Sequence, residues 1–152
     1  MPRKLLYVVG AVVAITVLAF AYYAISPLFR NIQANEQAPV SSGPAPQVNS
    51  TLSGQVVGTT GHPASGTARI VSADGKNFVR YENFKTINGP DIYVYLAKDL
   101  DAKEFINLGA VRATEGNINY EIPSGVNVAD YTYVLTWCKT FSVLFNYAEI
   151  SS

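Results

Sequence analysis

The chain carries one cysteine, Cys138, and one histidine, His62. A lone cysteine cannot close an internal disulfide, and one His with one Cys cannot supply a conventional multi-ligand zinc site. Charge is scarce too. Asp, Glu, Lys and Arg make up 14% of the 152 residues, against about 25% in an ordinary soluble domain. The 11 basic and 11 acidic residues cancel, so the basic surface of a nucleic-acid binder is missing. With 49% hydrophobic residues, the chain is too apolar for a disordered tail. No G-x-S-x-G, H-E-x-x-H, P-loop or G-x-G-x-x-G spacing occurs, which leaves hydrolase chemistry without visible machinery.

What is present begins with an uncharged run from Leu5 to Ile25. About 20 apolar residues at 1.5 Å rise cross a hydrocarbon core about 30 Å thick. Tyr22 and Tyr23 sit near one end, where aromatic rings favour the headgroup region, and Ser26-Pro27 disfavours further helix. Residues 1–30 are therefore expected to be a single-pass anchor in contact with lipid through residues 5–25. Arg3 and Lys4 before the run place the amino terminus in the cytoplasm and the remainder outside it. A cleaved signal segment is the rival, with Ala19-Phe20-Ala21 as cleavage signal and a secreted product. No Cys lies near the run, which excludes lipoprotein anchoring.

Residues 31–51 are rich in Pro, Ser, Gln and Asn, and read as a disordered linker. Asn49-Ser50-Thr51 is a glycosylation sequon of low specificity. Residues 52–152 suffice for one domain and not two. They carry eight basic and ten acidic residues, a balance of 8 − 10 = −2 with no run of one sign, so neither nucleic acid nor a charged polymer is indicated as partner.

Strand signals in this part are short and dense. Thr67–Val71 and Lys76–Tyr81 flank Asp74-Gly75, a pair suited to a tight hairpin turn. Asn88-Gly89-Pro90 predicts a turn before an alternating strand over Ile92–Ala97. Asn117–Ile122, Tyr131–Trp137 and Phe141–Phe145 follow, and Asp99–Asn107 alone suggests a short helical turn. The pattern predicts an all-β domain, an antiparallel sandwich or barrel, behind one transmembrane helix.

Cys138 is the residue that stands out chemically. Unpaired in an exported domain, it is a buried core residue, a bridge to a second copy in a disulfide-linked homodimer, or a reactive thiol or ligand. If Lys139-Thr140 forms a two-residue loop, Cys138 faces Phe141 and shares a face with Val134, Thr136, Val143 and Phe145; a bulge or bend through this segment is the alternative. His62 lies in the loop-like Gly61-His62-Pro63, and only proximity to Cys138 would give the pair a haem-ligating use. Asp99 and Asp101 have a D-x-D spacing without the glycine and terminal Glu of a calcium loop.

Several segments, read together and in order, resemble the DM-thirteen domain family, the electron-transfer domain that accompanies DOMON domains in Skeletor-like proteins. They are H-P-A-S-G-T-A at His62–Ala68, N-F at Asn83-Phe84, G-P-D-I-Y-V-Y-L at Gly89–Leu96, L-G at Leu108-Gly109, G-N-I-N-Y-E-I-P at Gly116–Pro123 and W-C-K-T-F-S-V-L-F at Trp137–Phe145. The resemblance implies a compact extracytoplasmic β module in which the cysteine, here Cys138, serves redox chemistry as a bare thiol or holds a group such as haem. Trp137 and Phe141 would line its surroundings, with His62 as a second candidate. In G-P-D, Gly89 and Pro90 would make a turn and Asp91 would bond nearby backbone amides. Asn146 stands where relatives often carry Gly, in F-G-x-A, and is expected to tolerate the same positive φ.

The expectation is thus a membrane-anchored domain taking part in electron transfer through Cys138, with a membrane or extracytoplasmic redox protein as partner. Its rival is a non-catalytic surface binding module with Cys138 in the core. Too few acids, bases and nucleophiles are present for a catalyst with its own substrate.

Overall fold

The structure is a computed structural model that describes residues 3–26, 31–42 and 49–151; the side chains of residues 49–51, which include the sequon, lie outside that description. An apolar helix, α1 (Arg3–Ile25), is followed by nine strands: β1 (Gln33–Asn35), β2 (Asn49–Gly58), β3 (Ala64–Ala73), β4 (Lys76–Thr86), β5 (Ile92–Ala97), β6 (Phe105–Ala110), β7 (Glu115–Ile122), β8 (Tyr133–Cys138) and β9 (Val143–Glu149). α1 is 23 residues long, about 35 Å at helical rise. Its length and composition suffice to cross a membrane, and its side chains are not buried against the domain.

The strands form one sheet in the order β1-β7-β4-β3-β2-β9-β8-β5-β6. Every pairing is antiparallel except β1 with β7. The all-β expectation is met by one continuous sheet curled into a half-barrel, not by two separate packed sheets. Curling brings Ile70, Val79 and Ile118 from one limb into the same core as Val94, Leu96 and Val134 from the other. Tyr81 lies in that core, stacked on Phe84 with centroids 4.2 Å apart. Its hydroxyl is 3.4 Å from Thr136 Oγ1, and burial pushes its pKa well above the ordinary phenol range.

The Asp74-Gly75 hairpin is present, with both residues in the left-handed region (φ 49° and 75°) as a two-residue turn requires. Two expectations need correction. Asp99–Asn107 forms no helical turn: Asp99 accepts from the amides of Asp101, Lys103 and Glu104 in a tight loop, and β6 begins at Phe105. The first part of the supposed linker is docked. Ile32 bonds Thr114, β1 pairs with β7, and Ser42 donates its amide and hydroxyl to Asp74 at the far hairpin. Glu36 fastens this strap: its carboxylate accepts from Asn119 N at 2.8 Å and pairs with Arg112 at 2.9 Å. Residues 43–48 lie outside the described part.

The pairing registers also fix which loops share an end. Thr86, Ala64, Gly58, Val143, Cys138, Ile92, Ala110 and Glu115 all terminate or begin their strands at one end of the half-barrel. Ile32, where the chain arrives from α1, joins the same end through Thr114 and Glu115.

Candidate functional site

Cys138 is the last residue of β8, paired with Ile92 on one side and Val143 on the other. Strand alternation puts it on the inner face with Val134 and Thr136, and it is 0% exposed. It packs with Ile92 and Phe145, and Ile87 and Val111 close the cluster. Trp137 points the other way. It joins Leu135, Tyr95 and Tyr133 on the outer face of the sheet, so the tryptophan expected to line the thiol is separated from it by the backbone.

Phe141 is also displaced from its expected place. Lys139–Ser142 form a four-residue turn, closed by Ser142 in the left-handed region (φ 51°), and Val143 faces Cys138. Phe141 sits in this turn, 45% exposed, 6.5 Å from the ring of Phe20 in α1.

Phe145 packs in the same buried cluster as the thiol, on the face that alternation through Val143 predicts. A β-bulge follows: Trp137 pairs with Leu144 and Thr136 with Asn146, leaving Phe145 as the extra residue. Both Phe145 and Asn146 therefore turn inward. Asn146 does not adopt positive φ, contrary to expectation; its buried side chain donates to Thr86 Oγ1 at 3.0 Å instead.

His62 lies on the ring of Phe145, stacked with centroids 4.0 Å apart and planes inclined 26°. Thr59 positions it. The Thr59 amide bonds the Phe145 carbonyl, and the Thr59 hydroxyl lies 3.2 Å from His62 Nδ1 while reaching the carbonyls of Leu144 and Phe145. His62 is half-buried, so the group beyond the phenyl ring reaches solvent. Cys138 and His62 thus share a neighbour rather than a contact.

The Gly89-Pro90-Asp91 segment closes the same region. Gly89 is needed for space, not for positive φ: a methyl group there would lie 2.8 Å from Phe145 Cζ and 2.9 Å from Ile92 Cγ2. Asp91 bonds a side chain rather than backbone amides, accepting from Thr140 Oγ1 at 2.8 Å, while its own carbonyl accepts from Lys139 N. The two contacts fasten the β8–β9 turn over the start of β5.

A haem does not fit between these residues. The space that iron and macrocycle would need beside Cys138 is filled by Phe145, Ile92, Ile87 and Val111. The apolar cavity at this end is lined by Asn31, Pro63, Ala64, Ser65, Lys85, Thr86 and Ile87 and does not include Cys138. Among the described residues, no group of three or more His, Cys, Asp and Glu is placed to hold a metal.

No curated protein and no solved structure matches the chain. The model of the family described as Electron transfer DM13 matches residues 56–150, which spans β2 to β9 and includes His62, Gly89, Cys138 and Phe145. The chain belongs to the Electron transfer DM13 family.

Proposed function

We propose that the protein is a membrane-anchored, extracytoplasmic module that takes part in electron transfer through Cys138, used as a bare thiol sulfur. The observation that carries the reading is the family match over residues 56–150 with the lone cysteine inside it, one aromatic ring away from a solvent-reaching histidine. α1 supports the anchor by length and composition, and Arg3 and Lys4 support a cytoplasmic amino terminus. The partner in this reading is a membrane or extracytoplasmic redox protein. Enclosure of the sulfur keeps it from thiol exchange, because exchange needs an exposed thiolate. A disulfide to a second copy would need the sulfur uncovered first.

A second reading is favoured by one observation, the complete burial of Cys138 among apolar side chains. In it the domain is a surface binding module and the cysteine is packing. Equilibrium redox titration of the full chain in detergent, beside Cys138→Ala, separates the two. A titrating group present in the parent and lost in the variant supports electron transfer through the thiol. Identical titrations, with the variant less stable by about 1 kcal/mol for the lost buried sulfur, leave the binding module.

A further inference from the structure

We propose that the end of the half-barrel carrying Cys138 and His62 seats on the lipid surface, with Phe141 of the β8–β9 turn and Val143 at the start of β9 in the boundary between headgroups and acyl chains. The inference rests on the reading of α1 as a membrane anchor and goes beyond it, because an anchor alone leaves the domain's orientation open.

The leash between helix and sheet is short. Docking of Ile32 against Thr114 and Glu115 leaves only residues 26–31 between the helix and the sheet. The seven Cα steps from Ile25 to Ile32 reach about 25 Å at full extension. They attach at the end of the sheet where β8 finishes and β9 begins, so that end is the one held next to the bilayer.

That end displays apolar side chains. Phe141, in the turn, is 45% exposed, and Val143, the first residue of β9 after it, is 36% exposed. The tip of the turn also carries Lys139, whose ammonium lies 5.4 Å over the ring of Tyr93. An apolar tip beside a cation matches the layered chemistry of a bilayer interface. Because the domain is tethered, even a small apolar contact suffices, the effective concentration of lipid being set by the short leash.

The same turn touches the anchor itself. Phe141 meets Phe20 edge to face. Phe20 lies five residues before Ile25, about 8 Å of helical rise inside the end of the apolar run. Phe141 is therefore at the depth of the outer acyl region when α1 spans.

The test uses the full chain in phosphatidylcholine vesicles, with and without lipid brominated near the top of the acyl chains. Trp fluorescence is compared in the parent, in Phe141→Trp, and in Phe105→Trp, an exposed position at the opposite end of the sheet. Trp137 is the shared background. Seating predicts blue-shifted emission from Phe141→Trp that brominated lipid quenches, and unquenched emission from Phe105→Trp. A chain that fails to float with the vesicles overturns the anchor and the seating together. A chain that floats while Phe141→Trp stays unquenched overturns the seating and spares the anchor. Blue-shifted but unquenched emission also overturns it, since a second copy then covers the turn. Equal quenching at both positions overturns it by showing a domain lying on its side.

Discussion

The imidazole of His62 lies on the ring of Phe145, and Phe145 packs in one buried apolar cluster with Cys138. The clearance around that ring is small, since a methyl at Gly89 would stand 2.8 Å from its Cζ. Gly89→Ala should therefore push Phe145 off its seat. Overpacking of this kind costs about 1–3 kcal/mol. If the ring is what shields the thiol, Cys138 in the folded variant will react with maleimide about tenfold faster than in the parent. An unchanged labelling rate with lowered stability would mean that the sulfur is uncovered by another opening.

Tyr81 makes a prediction at high pH. Burial raises its pKa; the bond to Thr136 opposes the shift and the nearby Tyr120 adds to it. The unfolded chain ionises this phenol near its ordinary value of 10.0, while the folded chain keeps the proton. Stability is full below that value and falls as pH rises above it. Tyr81→Phe should flatten the alkaline limb of a stability–pH curve. It should change stability at neutral pH by no more than about 1 kcal/mol, the net worth of one hydrogen bond. Tyr95 and Tyr120, also raised by burial, will keep part of the slope.

Asp99 acts at the other end of the pH scale. Its carboxylate is lowered from the ordinary 3.8 chiefly by the Lys103 amide, with those of Glu104 and Asp101 and the charge of Lys103 helping. Its contribution is present above that value and lost as pH falls through the lowered folded pKa. Amide exchange at Asp101, Lys103 and Glu104 should speed up in that acid window, and in Asp99→Ala at every pH. Unchanged exchange in the variant would remove Asp99 as the organiser of the loop.

These particulars show which parts of the structure were legible in the sequence. The Asp74-Gly75 hairpin could be read because its signal is local: two residues able to hold positive φ between apolar runs. β1 could not. Its polar Gln-Ala-Asn is held by backbone pairing to β7 and by Glu36 reaching Arg112 and Asn119, contacts about 80 residues away in sequence that no composition reveals. β6 was hidden for a related reason, since its half-exposed edge position leaves no clean alternation. Cys138 was conspicuous by scarcity alone. Phe145 falls on its face by plain alternation through Val143, whereas the inward turn of Asn146 was hidden because period-two reasoning cannot see the bulge between them.

The strap formed by residues 32–42 supplies the last prediction, because it sets the length of the leash. β1 passes so close to β7 that any side chain at Gly116 would collide with the Ala34 carbonyl, and Gly116 itself has φ +112°. Gly116→Ala should strain β7 and expel β1, at a cost of about 2 kcal/mol for the disfavoured backbone. The core strands of the curl do not depend on β1, an edge strand. Residues 31–42 should then become protease-sensitive while 52–150 stay resistant. Glu36→Gln is the milder companion: it keeps an acceptor for the Asn119 amide but loses the partly exposed ion pair to Arg112, a change of about 0–1 kcal/mol. Its strap should stay protected. Loss of protection in Gly116→Ala alone would make the backbone pairing at Ala34 the fastening that holds the chain short. Equal protection in both would leave β1 without a role in the leash.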